Sequence, residues 1–177
     1  MSFLRTTGSI GTTLLGALLL AGVAHATEVS MAGGSVTFST PDNWLGIMET
    51  QGDPEVRVFQ VPDPSPTASN SLARVTVTVK QVADVNDFQQ YAGSASAKAQ
   101  QLAGYRPVQA VSNTAGPNSY AYTARENDVE FSYSESYWFK GNHAVQLRCV
   151  RPAQSQAGPA WSAAFDQGCA AIAARLK

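Results

Sequence analysis

The chain has 177 residues, 12 Lys+Arg against 13 Asp+Glu, two cysteines and a formal net charge of −1. That is about one domain's worth of polypeptide, enough to bury a real hydrophobic core. Charge so close to neutral, with no cluster of Lys and Arg, argues against a nucleic-acid partner or an anionic membrane surface.

The opening stretch reads as a secretory leader. Met1 to Arg5 is short and positively charged, Ile10 to Val23 is apolar or small, and Ala24-His25-Ala26 matches a cleavage site. The apolar run is interrupted by Gly11, Gly16 and Gly22 and is too short for a good spanning helix. The expectation is cleavage after Ala26, no membrane span, and one domain over residues 27–177, periplasmic or secreted. No cysteine sits beside the cleavage point to carry a lipid.

Val29 to Ser39 holds Gly33-Gly34 ahead of Val36 and Phe38, which predicts a hairpin with a Gly-Gly turn. Trp44 follows Thr40-Pro41-Asp42-Asn43 as a core anchor. Leu45 to Thr50 and Glu55 to Val61 read as paired strands around Gln51-Gly52-Asp53-Pro54. Pro62 to Asn70 carries prolines at 62, 64 and 66, which forbid a ladder or a helix. It is a surface connection or a ligand-facing loop. In Leu72 to Val82, Ala73, Val75, Val77 and Val79 alternate with Arg74, Thr76, Thr78 and Lys80. This predicts a strand with one face on the core and an Arg-Thr-Thr-Lys row in water, where it is free to meet an acidic partner.

Helical spacing takes over from Val85 to Ala103, with Asn86 and Gln89 resembling a capping box and Gly104 at the C-terminal end. Strands are expected at Arg106–Val111 and Ser119–Glu126, separated by a Gly-Pro turn over 112–118. Phe131 to Cys149 is an aromatic hairpin. Phe131, Tyr133, Tyr137 and Phe139 share one side, Ser132, Ser134, Ser136 and Lys140 the other, and Lys140-Gly141-Asn142-His143 forms the turn. A last helix, Ala160 to Lys177, places Trp161, Phe165, Cys169, Ile172 and Leu176 on one stripe. The class is therefore α+β: an antiparallel sheet of about six to eight strands with one central and one C-terminal helix packed on it, a two-layer sandwich.

Cys149 and Cys169 are the whole cysteine inventory of a chain expected in an oxidising compartment. A disulfide between the last strand and the last helix is the economical reading. A reactive thiol pair is the alternative, although no C-x-x-C spacing supports it.

The order of elements resembles the PsbP-like family, including its DcrB-like envelope members. The resemblance is carried by Val36-Thr37-Phe38-Ser39-Thr40-Pro41-Asp42-Asn43-Trp44, the Leu72–Lys80 strand, the Asp84–Gly104 helix, the Tyr-rich meander ending at Cys149 and the closing helix with Phe165. It implies a fold used by non-catalytic binding or assembly factors, and it brings no catalytic set.

Catalytic constellations are scarce. His143 is the only histidine after the leader and sits in a turn, with no G-x-S-x-G to partner it. Zinc would need several local His or Cys ligands, and no cofactor motif is present. Asp84 with Asp87 reads as the acidic start of a helix, and Glu126, Asp128 and Glu130 as a charged hairpin tip. Trp138 is out of phase with Tyr137 and Phe139, so it is either an exposed binding anchor or covered by a loop or helix. The expected function is a non-catalytic exported binding or accessory protein with an envelope protein partner, its contacts drawn from Trp138, His143, Arg74 and Lys80. A periplasmic immunity protein against a secreted toxin is the alternative, and a small hydrolase using His143 or an acidic pair comes third.

Overall fold

The computed structural model describes residues 26–66, 72–108 and 118–177. All of the expected leader except Ala26 lies outside them, as do residues 67–71 of the Pro-rich stretch and residues 109–117 ahead of the aromatic meander.

The described residues form nine strands, a short 3-10 turn and two α-helices. In chain order they are β1 (Ala26–Met31), the turn Ala32–Gly34, β2 (Val36–Pro41), β3 (Leu45–Thr50), β4 (Glu55–Gln60), β5 (Arg74–Gln81), α1 (Val85–Ala99), β6 (Arg106–Val108), β7 (Ser119–Glu126), β8 (Val129–Lys140), β9 (His143–Pro152) and α2 (Gly158–Leu176). β1 and β2 make a separate hairpin, closed where Gly33 and Gly34 take positive φ. The other seven form one sheet in the order β3-β4-β5-β9-β8-β7-β6. Each neighbouring pair in it is antiparallel. The expected α+β class, an antiparallel sheet with one central and one C-terminal helix, is what the chain adopts.

The register explains why each helix goes where it does. Val75, Val77 and Val79 of β5 stand opposite Cys149, Leu147 and Val145 of β9, so six side chains line one face of the sheet centre. That patch meets the α2 stripe of Phe165, Cys169, Ile172 and Leu176, all buried, with Met31, Val36 and Phe38 of the hairpin closing the side. Trp44 stacks on Phe165 at 6.0 Å between ring centroids, and Gly168 is what lets the indole lie this close to α2. A Cβ added at Gly168 would come within 2.5 Å of the Trp44 ring. The expected disulfide is present: Cys149 and Cys169 are joined across this core with Cα atoms 6.4 Å apart.

The opposite face carries Phe131, Tyr133 and Tyr137 of β8, Tyr122 and Ala124 of β7, and Ala144 and Val150 of β9, overlaid by Phe88, Ala92 and Ala99 of α1. The two helices therefore cover different faces. The Arg74–Lys80 row belongs to the α1 side and is half-buried rather than bathed in water. Alternation correctly separated the two sides of β5 but could not show that both were covered.

The N-terminal cap of α1 is two residues earlier than expected, at Asp84 rather than Asn86. Asp84 Oδ1 accepts from the backbone N–H groups of Asn86 and Asp87, and Asp87 Oδ2 accepts from that of Ala83. Aspartates thus fill both positions of the reciprocal cap, and Asn86 already lies inside the helix.

Candidate functional site

The residues named from the sequence do not converge. Trp138 pairs with Val145 and His143 with Lys140 and Gln81, which puts both on the α2 side of the sheet. There Trp138 is half-buried against the main core rather than standing free. Arg74 and Lys80 lie on the α1 side at opposite ends of β5, roughly 20 Å apart at strand rise. Each is already paired. Arg74 Nη2 is 2.5 Å from Glu126 Oε1, with its guanidinium over the Phe131 ring, and Lys80 Nζ is 3.8 Å from Asp53 Oδ2. Of the Pro-rich segment, the described part is tied down at the entrance to α2. Asp63 accepts from Ser155 at 2.8 Å, and the carbonyl of Pro62 accepts from Trp161 Nε1 at 2.9 Å.

The polar centre that the structure does assemble is built on Glu135. Counting in twos along β8, position 135 falls inside the aromatic stripe between Tyr133 and Tyr137, so its carboxylate is aimed beneath α1. Only 4 % of the residue is exposed. Burying a carboxylate is costly unless every oxygen is engaged, and here the cross-strand neighbours engage both. Tyr122 OH donates to Oε1 at 2.6 Å, while Tyr137 OH and Gln146 Nε2 donate to Oε2, the latter at 3.2 Å. Directly opposite on β9, Arg148 brings Nε to 3.1 Å from Oε1. That contact is off the line of the N–H, so the buried Nε has a charge partner but no hydrogen bond.

The shell around this pair is itself cross-linked. Tyr91 OH of α1 donates to Gln146 Oε1 at 2.9 Å, and Gln146 Nε2 also donates to Tyr137 OH at 2.9 Å. Tyr122 stacks on Tyr133 with centroids 4.6 Å apart, and the Arg148 guanidinium lies 5.2 Å above the Tyr133 ring. Burial and the adjacent Glu135 carboxylate push the Tyr122 and Tyr137 phenols far above the ordinary tyrosine range, and Tyr91 up to about 12. These phenols therefore stay protonated as donors. Glu135 holds the Arg148 guanidinium above its usual range against the opposing effect of burial.

A second carboxylate repeats the arrangement nearer the surface. Glu126 Oε1 accepts from Tyr133 OH and Arg74 Nη2, each at 2.5 Å. Burial pushes its carboxyl upward, but those hydrogen bonds and the charges of Arg74 and Arg148 hold it below the ordinary glutamate value. Between this floor and α1 lies a cleft of about 320 Å³ with Tyr91, Ser94, Ala95, Lys98, Glu135, Gln146 and Arg148 in its lining. Among the described residues no three His, Cys, Asp or Glu side chains gather as a metal-ligand set. No helix there is long and apolar enough to cross a membrane.

Sequence reasoning missed Glu135 because the stripe was read for its aromatics. The signal was there: a lone charge at the in-phase position of an otherwise aromatic strand face, with Gln146 and Arg148 in phase on the next strand.

This site sits in an α+β fold with known relatives in shape. The chain is similar to LpqN of Mycobacterium tuberculosis, described as involved in cell envelope biogenesis, at 12% identity and a TM-score of 0.53, covering 86% of this chain and 89% of that one. It is also similar to the Ran-binding protein Mog1p of Saccharomyces cerevisiae, at 15% identity and a TM-score of 0.51, covering 86% and 94%. At such identities the likeness shows the fold alone. No family model matches the sequence. No curated protein matches it either.

Proposed function

We propose that the chain is a non-catalytic, exported binding or accessory protein that works through protein contacts in the cell envelope, with the α1 side of the sheet as its contact face. The observation that carries this reading is how fully Glu135 is satisfied. Its oxygens take hydrogen bonds from Tyr122, Tyr137 and Gln146 and the charge of Arg148, and the phenols around it are held protonated. A general acid or base needs a free position and a pKa near its working pH. A carboxylate used up in this way instead stiffens the floor of a cleft, which suits recognition. The disulfide is consistent with an oxidising compartment after cleavage of the leader. The PsbP-like resemblance and the likeness in fold to an envelope-biogenesis protein and to a Ran-binding protein lean the same way.

The test is affinity capture from envelope extract using the mature chain and a Thr76→Arg variant, which puts a bulky cation on the half-buried α1-side face. The expected result is a reproducible partner captured by the native chain and lost by the variant at unchanged Tm. Capture of no reproducible partner, or of the same partner by both proteins, overturns the reading.

A further inference from the structure

The cleft beneath α1 has an imbalance that the fold does not use. Its floor supplies one carboxylate, Glu135, whose oxygens are taken by Tyr122, Tyr137, Gln146 and Arg148. Two cations line the same space, Arg148 from β9 and Lys98 from the last turn of α1. Lys98 is exposed and, among the described residues, takes part in no ion pair. Arg148 sets its buried Nε against Glu135 and donates Nη2 to Tyr122 OH at 3.4 Å, but among the described residues its Nη1 makes no hydrogen bond, and about a third of its side chain still opens to solvent. One positive charge is left over, with unspent donors facing the cavity.

The remaining walls narrow the choice of anion. Ser94 offers a hydroxyl, while Ala95, Ala99 and Leu102 present an apolar strip along α1. A cavity of about 320 Å³ is at the small end of ligand sites. A doubly charged phosphate would over-compensate a single surplus charge and would find no partner on the apolar strip. A monocarboxylate with a short apolar body fits both halves. Its head meets Arg148 and Lys98, and its tail lies on Ala95, Ala99 and Leu102.

We infer that the α1 cleft is a recognition site for a carboxylate on a short aliphatic stem, supplied either by a small free acid or by a Glu side chain of a bound partner. This deepens the binding reading above and rests on the same face of the sheet.

The experiment is an amide-shift NMR titration of the mature chain at low salt with butyrate, with a capped peptide bearing one Glu, and with butylammonium as the opposite-charge control. Saturable shifts confined to the Ser94–Leu102 and Glu135–Arg148 amides are expected from butyrate, the peptide or both, and none from butylammonium. Saturation by butyrate assigns a small acid, and saturation by the peptide alone assigns a partner's side chain. Lys98→Gln changes an exposed residue and is expected to weaken binding about threefold, the scale of an exposed ion pair. Ala95→Phe, which fills the cleft, is expected to abolish it. The inference is overturned if neither carboxylate saturates, if butylammonium shifts the same amides, or if both variants bind like the native chain at unchanged Tm. A partner still captured in the pull-down under any of these outcomes leaves the broader binding reading standing while this one fails.

Discussion

Glu135 and Gly168 are the two positions where one atom decides the packing. Glu135→Gln keeps the side-chain shape but turns an acceptor oxygen into a donor facing Tyr122, Tyr137, Gln146 or Arg148, and it strands the guanidinium. The expected cost is ~3 kcal/mol, the scale of breaking a buried charged hydrogen-bond network, read as a lowered urea midpoint with an unchanged slope. Gly168→Ala drives a Cβ into the Trp44 indole, with 2.5 Å to Cζ2. It should cost ~1–3 kcal/mol as overpacking. Gly93→Ala is its control: Gly93 is exposed within α1, and nothing lies within 4 Å of the added carbon. That substitution should stabilise by ~0.5–1 kcal/mol through helix propensity. Opposite signs from two glycine substitutions in helices, measured by denaturation, check the packing of Trp44 on α2.

At the scale of elements, Cys149 on β9 and Cys169 on α2 tie the closing helix to the sheet centre across 20 residues of sequence. Replacing both by Ala should cost ~3 kcal/mol by the loop-entropy account, seen in denaturation under non-reducing conditions. Most of this framework was legible, because β5 and α2 each show their periodicity in unbroken apolar positions. What could not be read is how many faces are covered. The same alternation that identified Val75, Val77 and Val79 as core assigned Arg74 and Thr76 to water, yet α1 lies on their side of the sheet. The converse holds at β3, which was placed residue for residue as a strand. It is an edge whose Leu45, Ile47 and Met48 are 54 %, 47 % and 56 % exposed, because none of the described elements packs over it. Local pattern sets the strand, whereas tertiary neighbours set its burial. Glu135 is a different case: its in-phase charge is visible in the aromatic stripe, but its full set of partners appears only when β7 and β9 lie beside β8.

For the molecule as a whole, the buried polar layer bounds stability at both ends of the pH scale. The Glu126 carboxyl is held below its ordinary value by Tyr133 and Arg74 despite the upward push of burial. Asp63, pushed up by burial, is likewise held down by hydrogen bonds from Ser65 and Ser155. A carboxyl depressed in the folded state binds its proton more weakly there than when unfolded. Its stabilisation is therefore complete above the unfolded value of about 4 and is lost as pH falls through the lower folded value. The phenols behave the opposite way. Tyr91, Tyr122, Tyr133 and Tyr137 are all raised, first by burial and then by the neighbouring carboxylates. Their stabilisation is complete below the unfolded value of about 10 and falls away as pH climbs past it. Tm is therefore expected to be level from about pH 6 to about pH 9 and to drop on both sides. Glu126→Gln tests the acid limb. It should lower Tm at neutral pH by removing the negative charge to which Tyr133 and Arg74 donate, and its curve should approach that of the native chain as pH falls below about 4, where the native carboxyl loses its charge as well. Tyr133→Phe should soften both limbs, because one of the four raised phenols is gone and Glu126 loses a hydrogen bond that holds its carboxyl down. A Glu126→Gln curve that stays parallel to the native curve down to the lowest pH would show that the charge of Glu126 contributes nothing, and that its bonds to Tyr133 and Arg74 hold shape alone.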